Sequence, residues 1–332
     1  MSAAIPHPRE TFDWTGDEAH ERAFLDALDR GRLHHAWLVI GPRGVGKATF
    51  AYRAARRLLG ARPEPDLGPL GAAPDDPVCR QVLGRAHPDL LALQRDPEDG
   101  RARHGIPVDE ARLLPEFFSK SPASAAYRVA IIDTADDLNV FGANAVLKTL
   151  EEPPERGVLF LVSHSPGALL ATLRSRCRRI GVAVPDREAA AGWVAARAGV
   201  NAGEAERLVD MARGAPGGAW RLAADGALEA DRQARALLSA LPTPDETAML
   251  AIADSFRGPA GAARFRLLFE RLADLVHQMV TRRAAEGERG VALDRWADIW
   301  DDLVSVPPEA EAINLDRADV FFTTLSRFKA VG

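Results

Sequence analysis

The chain has 332 residues and a formal net charge of −5 at pH 7, so no overall positive field draws it to nucleic acid. Its two cysteines, Cys79 and Cys177, exclude a disulfide framework and a four-cysteine zinc site. The first residues lack the apolar segment of a secretory signal, and no apolar run nears the roughly 18 residues that span a bilayer. We therefore expect a cytoplasmic protein of two or three domains without membrane contact.

The first half of the chain alternates short apolar runs with helical patterns, which is typical of a parallel sheet covered by helices on both faces. Helical periodicity dominates from Pro185 onward. The sequence predicts an α/β domain over 1–184, a small helical lid over 185–228 and an all-helical C-terminal domain over 229–332. The strand candidates are Ala36–Ile40, Leu90–Leu93, Arg128–Ile132, Val158–Ser163 and Arg179–Val184.

Local composition gives further structural expectations. Residues 61–77 are rich in Pro, Gly and Ala, which predicts a surface loop. Apolar spacing predicts one helix over 108–118 and another over 293–304. On the helix after the first strand, we expect Arg53, Arg56 and Arg57 to be solvated, with contact to DNA phosphates as the alternative.

A glycine-rich phosphate-binding loop follows the first strand. Gly41, Gly46 and Lys47 fit the pattern G-x-x-x-x-G-K-[ST], between a strand and a helix as a P-loop requires. Backbone N–H groups of such a loop and of the helix start form a cradle for anions, and the lysine reaches the outer phosphates of a nucleotide. The residues expected to hold the nucleotide are Gly41, Pro42, Arg43, Gly44, Val45, Gly46, Lys47, Ala48 and Thr49.

Two positions of this site depart from an active ATPase. Ala48 stands where a Ser or Thr hydroxyl normally holds Mg²⁺, and Thr49 lies about 100° further round the helix. The third strand leads into Asp133, the carboxylate expected beside the phosphates, but Thr134 follows it and cannot act as a base. We interpret Asp136 and Asp137, on the next turn, as solvated loop acids or as acids at the start of a helix. ATP binding is therefore expected to be weak or vestigial, Mg²⁺ binding is doubtful, and hydrolysis by this chain alone should be slow or absent.

Four stretches together resemble the clamp-loader subunits of the AAA+ family. They are His34-His35-Ala36, Arg128–Asp133, the run NAVLKTLEEPP over 144–154, and the triplet Ser175-Arg176-Cys177. The resemblance covers about residues 15–183 and beyond that depends on length and helical character. It implies an AAA+ domain, a lid and a C-terminal collar that together help to load a sliding clamp onto primed DNA with the energy of ATP.

The resemblance also implies roles for single residues. Arg176 would be an arginine finger that stabilises charge on the ATP of a neighbouring subunit. The hydrolysing gamma/tau subunits keep both catalytic groups, a zinc module and a sensor arginine; the matching sensor position here is Gly217. Ser163 could serve as the polar sensor after the fourth strand. The delta subunit lacks the finger. The pattern favours a delta-prime-like subunit without zinc, with gamma/tau and delta as partners.

Three alternatives stay open at this point. A gamma/tau-like subunit that hydrolyses ATP requires Ala48 and Thr134 to be harmless. A P-loop kinase would need an acceptor-binding region, and none is visible in the sequence. A helicase loader or a Holliday-junction motor would keep both catalytic residues. Steady-state ATP hydrolysis by the purified chain distinguishes the first alternative from a delta-prime-like subunit.

Overall fold

The computed structural model describes residues 6–95, 105–258, 260–287 and 291–328. The chain divides into two compact units, one up to Trp220 and one from Arg221 onward. Over the described ranges, no helix has the length and apolar character needed to cross a membrane. The finer boundaries at residues 184 and 228 stay predictions.

A five-stranded parallel sheet forms the centre of the first unit. Its strand order is β2-β3-β4-β1-β5, so the first strand of the chain lies between the fourth and the fifth. The predicted α/β architecture with a parallel sheet is confirmed. The strands are β1 Ala36–Ile40, β2 Leu90–Gln94, β3 Arg128–Asp133, β4 Gly157–Ser163 and β5 Arg178–Gly181.

Helices cover both faces of this sheet. Successive side chains of a strand point to opposite faces. Trp37 therefore joins one core with helix residues such as Phe50, whereas Leu38 joins a second core with helix residues such as Val146. The strands β1, β3 and β4 are buried almost throughout, as expected for parallel strands with two covered faces.

Polar N-cap residues begin several helices of the chain up to the unit boundary. The side chains of Asp17, Asp76, Asn139, Asp186 and Asn201 each accept a hydrogen bond from a backbone N–H of the first helical turn. The last helix, α10, contains the boundary. The helices are α1 Glu18–Asp29, α2 Lys47–Leu58, α3 Pro77–Leu83, α4 Val108–Ala111, α5 Leu113–Ser119, α6 Val140–Glu151, α7 Ala171–Ser175, α8 Arg187–Ala198, α9 Ala202–Met211 and α10 Pro216–Ala224.

The single helix predicted over 108–118 is instead broken in two. The helix α4 ends at Ala111, and α5 begins at Leu113 with Pro115 in its first turn. Proline has no N–H to donate, and its ring collides with the carbonyl four residues earlier, here that of Ala111. A proline in the first turn is tolerated, so the chain starts a new helix there.

The segment 61–77 is a connection, as predicted, but it is not confined to the surface. Leu70 is fully buried, and Ala72 is also buried. The backbone N–H of Leu70 donates to a carboxylate oxygen of Glu21 at 3.1 Å. Composition alone indicated a loop. It could not indicate that the loop is held by a hydrogen bond to Glu21, which lies far earlier in the chain.

The prediction that Arg53 and Arg56 are solvated is wrong, because each is only 1% exposed. Arg53 forms an ion pair with Glu21, with 2.5 Å between Nε and Oε1, and also donates to the Leu67 carbonyl at 2.6 Å. Arg56 donates to the carbonyl of Thr11 at 3.2 Å. These contacts fasten the N-terminal segment and the connection after α2 to the P-loop helix, so neither guanidinium is available to DNA.

Helices form the regular structure of the second unit over its described ranges. Aromatic side chains dominate its core, where Phe256 packs edge-to-face against both Phe265 and Phe321. A buried ion pair joins Arg271 to Asp231, with 2.8 Å between Nη2 and Oδ1. The helices after α10 are α11 Ala227–Ser239, α12 Glu246–Ser255, α13 Gly261–Ala285, α14 Val291–Ala312 and α15 Arg317–Phe328.

The helix predicted over 293–304 is longer in the structure, because α14 continues to Ala312 through Pro307 and Pro308. A proline inside a helix removes a backbone hydrogen bond and is normally read as a stop. Here Pro307 is buried, and Ala310, one turn further on, joins the helical core at 3% exposure. Tertiary packing of this last turn therefore outweighs the local cost of the prolines.

Candidate functional site

The predicted phosphate-binding loop connects the end of β1 to the start of α2. Gly46, which caps α2, has a φ of 102°, and Gly44 has a φ of 75°. This left-handed backbone conformation favours glycine. A Cβ atom at Gly41 would lie 2.3 Å from the carbonyl oxygen of Val182, so that position also excludes a side chain. The loop backbone at the start of a helix is a suitable cradle for a phosphate.

Lys47 lies over its own loop. Its Nζ donates to the carbonyl oxygens of Gly41 at 2.7 Å and Pro42 at 2.5 Å, and the residue is 3% exposed. Burial lowers the pKa of the Lys47 ammonium to about 8, although the carboxylates of Asp133 and Asp136 favour its charged form. A partly desolvated cation at this point strengthens attraction to an anion.

Asp133 ends β3 within electrostatic reach of Lys47. Burial raises the pKa of the Asp133 carboxyl to about 6; the Lys47 ammonium opposes this shift and the Asp137 carboxylate adds to it. Thr134 follows and is 9% exposed. Lys47 and Asp133, two of the charged residues predicted for this site, are thus electrostatically coupled, but position 134 supplies no base.

Asp136 lies in the first turn of a short 3-10 helix, Ala135–Asp137, which agrees with a helix-start acid, but its carboxylate is not left to solvent. Its carboxylate accepts hydrogen bonds from the hydroxyl of Ser163 at 2.8 Å and from the backbone N–H groups of His164 at 2.6 Å and Ser165 at 3.3 Å. Asp136 therefore ties the turn after β3 to the end of β4. The hydroxyl of Ser163, the predicted polar sensor, is used in this internal contact.

His164 is a site residue that sequence reasoning missed. Burial and the positive charges of Lys47 and Arg43 lower the pKa of the His164 imidazole to about 4, so the ring is neutral at pH 7. Its Nδ1 is buried and, within the described part of the chain, has no hydrogen-bond partner. The signal in the sequence was its position directly after Ser163, at the carboxyl end of a central strand.

One Mg²⁺ ligand expected at this loop is missing. The Ala48 side chain joins the apolar core behind α2, and the position has no hydroxyl. Mg²⁺ requires oxygen ligands in near-octahedral geometry. The loop keeps the backbone cradle for a phosphate but lacks this one oxygen ligand.

The start of α10 lies directly on the P-loop. The backbone N–H of Gly217 donates to the Gly44 carbonyl at 2.9 Å. A Cβ atom at Gly44 would lie 2.3 Å from the backbone nitrogen of Gly218, and one at Gly217 would lie 2.8 Å from the Gly44 oxygen. Gly217 is the position matched to a sensor arginine in the sequence. This close backbone contact leaves no room there for the side chain of an arginine.

Replacing Gly217 by alanine is expected to lower the free energy of unfolding by about 1–3 kcal/mol relative to Gly218→Ala, because the new methyl group would overpack the contact with Gly44. Gly218→Ala is the matched control. It gives the same gain in helix propensity, but its Cβ would meet nothing closer than 3.4 Å. Urea unfolding of both variants measures the difference, and equal stabilities would contradict the close contact.

Arg176 lies near the amino ends of the parallel strands, whereas the P-loop follows the carboxyl end of β1. It caps the C-terminus of α7, immediately before the edge strand β5. Arg178 of β5 pairs with Trp37 of β1, so Arg176 precedes the level of Trp37, whereas the P-loop begins at Gly41. Four strand residues separate these two levels, which corresponds to about 13 Å. This exceeds the reach of an arginine side chain, so the structure does not bring Arg176 to its own P-loop.

The Arg176 guanidinium is half-exposed and held by two neighbouring helices. Its Nη2 lies 3.2 Å from Oε1 of Glu151 on α6, and its Nη1 donates to the carbonyl of Thr172 at 3.1 Å. The flanking Arg178 and Arg179 are exposed. This edge of the first unit therefore presents several positive charges, although the chain as a whole is acidic.

Comparison with known protein families shows which family the chain belongs to. A family model described as DNA polymerase III, delta subunit, matches residues 16–185. The chain belongs to this family. The prediction of a subunit similar to delta-prime of DNA polymerase III is confirmed, since delta-prime subunits are among its relatives.

Three relatives show the extent of the similarity. The delta-prime subunit of DNA polymerase III from Pseudomonas aeruginosa is 35% identical over 201 residues, 60% of this chain and 59% of that protein. The Escherichia coli delta-prime subunit is 31% identical over 231 residues, 69% of this chain and 67% of that protein. The gamma/tau subunit of Mycobacterium tuberculosis is 36% identical over 150 residues, 45% of this chain and 24% of that protein. The matched region thus spans less than two thirds of the Pseudomonas relative.

Proposed function

We propose that this delta-prime-like chain supplies Arg176 to an ATP site on an adjacent gamma/tau subunit of a clamp-loader complex. The register of β5 supports this role: Arg178, two residues after Arg176, pairs with Trp37, which lies about 13 Å along β1 from the start of the P-loop. An arginine at that distance cannot complete its own site. At an exposed edge of the unit, it can meet a nucleotide held by a neighbour.

The guanidinium of Arg176 suits a triphosphate. Guanidinium groups bind phosphate oxygens through paired N–H donors and stay charged at any physiological pH. In this role Arg176 stabilises the negative charge that develops on the γ-phosphate as ATP is cleaved in the neighbour's site.

The chain's own P-loop would contribute little to hydrolysis. Ala48 lacks the hydroxyl that would hold Mg²⁺, Thr134 cannot activate water, and the carboxylate of Asp136 is occupied by the end of β4. Lys47 and the loop backbone still fit a phosphate group. We infer weak ATP binding at most, without firm Mg²⁺ binding.

The proposed assembly contains gamma/tau and delta subunits, acts on a sliding clamp and primed DNA, and works in the cytoplasm. The helices after α10 would join those of the partners in a collar. ATP would then favour the arrangement of subunits that opens the clamp, because it binds that arrangement more tightly than the other.

A gamma/tau-like ATPase is the second candidate, favoured by the 36% identity to the Mycobacterium tuberculosis subunit and by the juxtaposition of Lys47 with Asp133. Reconstitution separates the two. Mixed with gamma/tau and delta from the same source, the chain should enter one complex on size-exclusion chromatography, and alone it should show no ATP turnover above background. Turnover by the isolated chain at the rate of a gamma/tau subunit would establish the second candidate instead.

A further inference from the structure

The ion pair between Arg176 and Glu151 joins two structural elements. Arg176 caps α7, whereas Glu151 is the last residue of α6. One guanidinium nitrogen lies 3.2 Å from the carboxylate and the other donates to the Thr172 carbonyl at 3.1 Å. Because a guanidinium is a rigid planar fork, fixing two of its nitrogens fixes the direction of the remaining N–H donors.

Stability does not explain the position of Glu151. The side chains of Glu151 and Arg176 are 54% and 38% exposed, and exposed ion pairs contribute little to folding. A carboxylate in the last turn of a helix is also disfavoured by the helix dipole. A residue that is locally unfavourable and adds no stability often has a role in a functional site.

Arg176 has enough N–H donors to contact Thr172 and Glu151 and still meet a phosphate. Nη1 uses one N–H on the Thr172 carbonyl, and Nη2 lies 3.2 Å from Oε1 of Glu151. A guanidinium has five N–H donors, so others remain to meet a phosphate. Glu151 can therefore hold the side chain without blocking it.

We propose that Glu151 is a positioning residue that orients Arg176 toward the nucleotide of the neighbouring subunit. This inference rests on the proposed function of Arg176. Glu151 itself touches no nucleotide. Its carboxylate restricts the guanidinium to the orientation in which its remaining donors meet the γ-phosphate.

The test uses the reconstituted complex with gamma/tau, delta, clamp and primed DNA. Glu151→Gln keeps the size and one acceptor of the side chain but removes its charge. We expect the rate constant of the phase of ATP hydrolysis that depends on Arg176 to fall about 10-fold to 100-fold, because a misplaced group loses catalytic efficiency steeply. The KM for ATP and the melting temperature should not change.

Glu152→Gln is the matched control, since Glu152 is the exposed neighbour at the end of the same helix. It should behave as wild type. In an Arg176→Ala background, Glu151→Gln should have no further effect. Wild-type hydrolysis by Glu151→Gln, or an equal loss with and without Arg176, would overturn the positioning role. Wild-type hydrolysis by Arg176→Ala alone would overturn the proposed function, and with it this inference.

Discussion

Glu21→Ala is expected to lower the free energy of unfolding of the chain by about 3–5 kcal/mol, because it leaves the charge of Arg53 buried without its carboxylate. Glu21 is fully buried and Arg53 is 1% exposed. The carboxylate also accepts the backbone N–H of Leu70, so the connection after α2 would lose an anchor as well. This position is the most sensitive that we predict for the stability of the first unit.

Urea unfolding followed by circular dichroism measures this loss. Glu18→Ala is the control, since Glu18 is on the same helix and pairs with Arg22 at the surface, where such a contact is worth about 0.3–0.5 kcal/mol. A loss below about 1 kcal/mol for Glu21→Ala would mean that the Arg53 charge is solvated after all. The prediction from the sequence that Arg53 is solvated would then be correct.

Arg176→Ala is expected to slow ATP hydrolysis about 1,000-fold at the site that adjoins this chain in the complex, since an arginine finger contributes 10³ or more to such reactions. The substitution removes the guanidinium and its methylene stem, and no folding role of comparable size is lost because the side chain is half-exposed. Single-turnover hydrolysis by the reconstituted complex would show the affected site as a separate slow phase.

Arg179→Ala is the control for this substitution. Arg179 is exposed, lies three residues along the same edge of the sheet and carries the same charge. It should leave every phase of hydrolysis within about twofold of wild type, because a nonspecific surface charge contributes little. Equal slowing by both variants would point to the general charge of this edge rather than to Arg176.

The parts of the fold that are local in sequence could be predicted. The P-loop was visible because glycine spacing, a preceding apolar run and a following helical pattern all lie within a short stretch around Lys47. The strands β1 and β4 were predicted within one residue of their observed bounds, because buried parallel strands are short and almost wholly apolar.

Contacts between distant residues could not be predicted. Arg53 was expected in solvent because nothing near it in sequence indicates Glu21, which lies on another helix. The hydrogen bonds of Asp136 were not predicted for the same reason, since its donors are at the end of β4. Periodicity shows which face of an element is apolar but does not show which polar groups meet across the fold.

In the candidate site too, features local in sequence could be predicted and contacts between distant residues could not. Its departures at Ala48 and Thr134 were visible in the sequence as missing chemical groups. The reason for a glycine at position 217 was not, because it depends on the backbone contact with Gly44. The sequence therefore indicated which groups were missing, and the structure adds why a sensor arginine does not fit.

The most direct test compares the two sites of this chain in one measurement, the ATP turnover of the reconstituted complex with clamp and primed DNA. Lys47→Met removes the charge of the P-loop lysine and keeps its bulk, whereas Arg176→Ala removes the finger. We predict turnover near that of wild type for Lys47→Met, with loss of hydrolysis at the adjoining site for Arg176→Ala. Loss of turnover with Lys47→Met and wild-type turnover with Arg176→Ala would contradict the assignment, because catalysis would then depend on the chain's own P-loop.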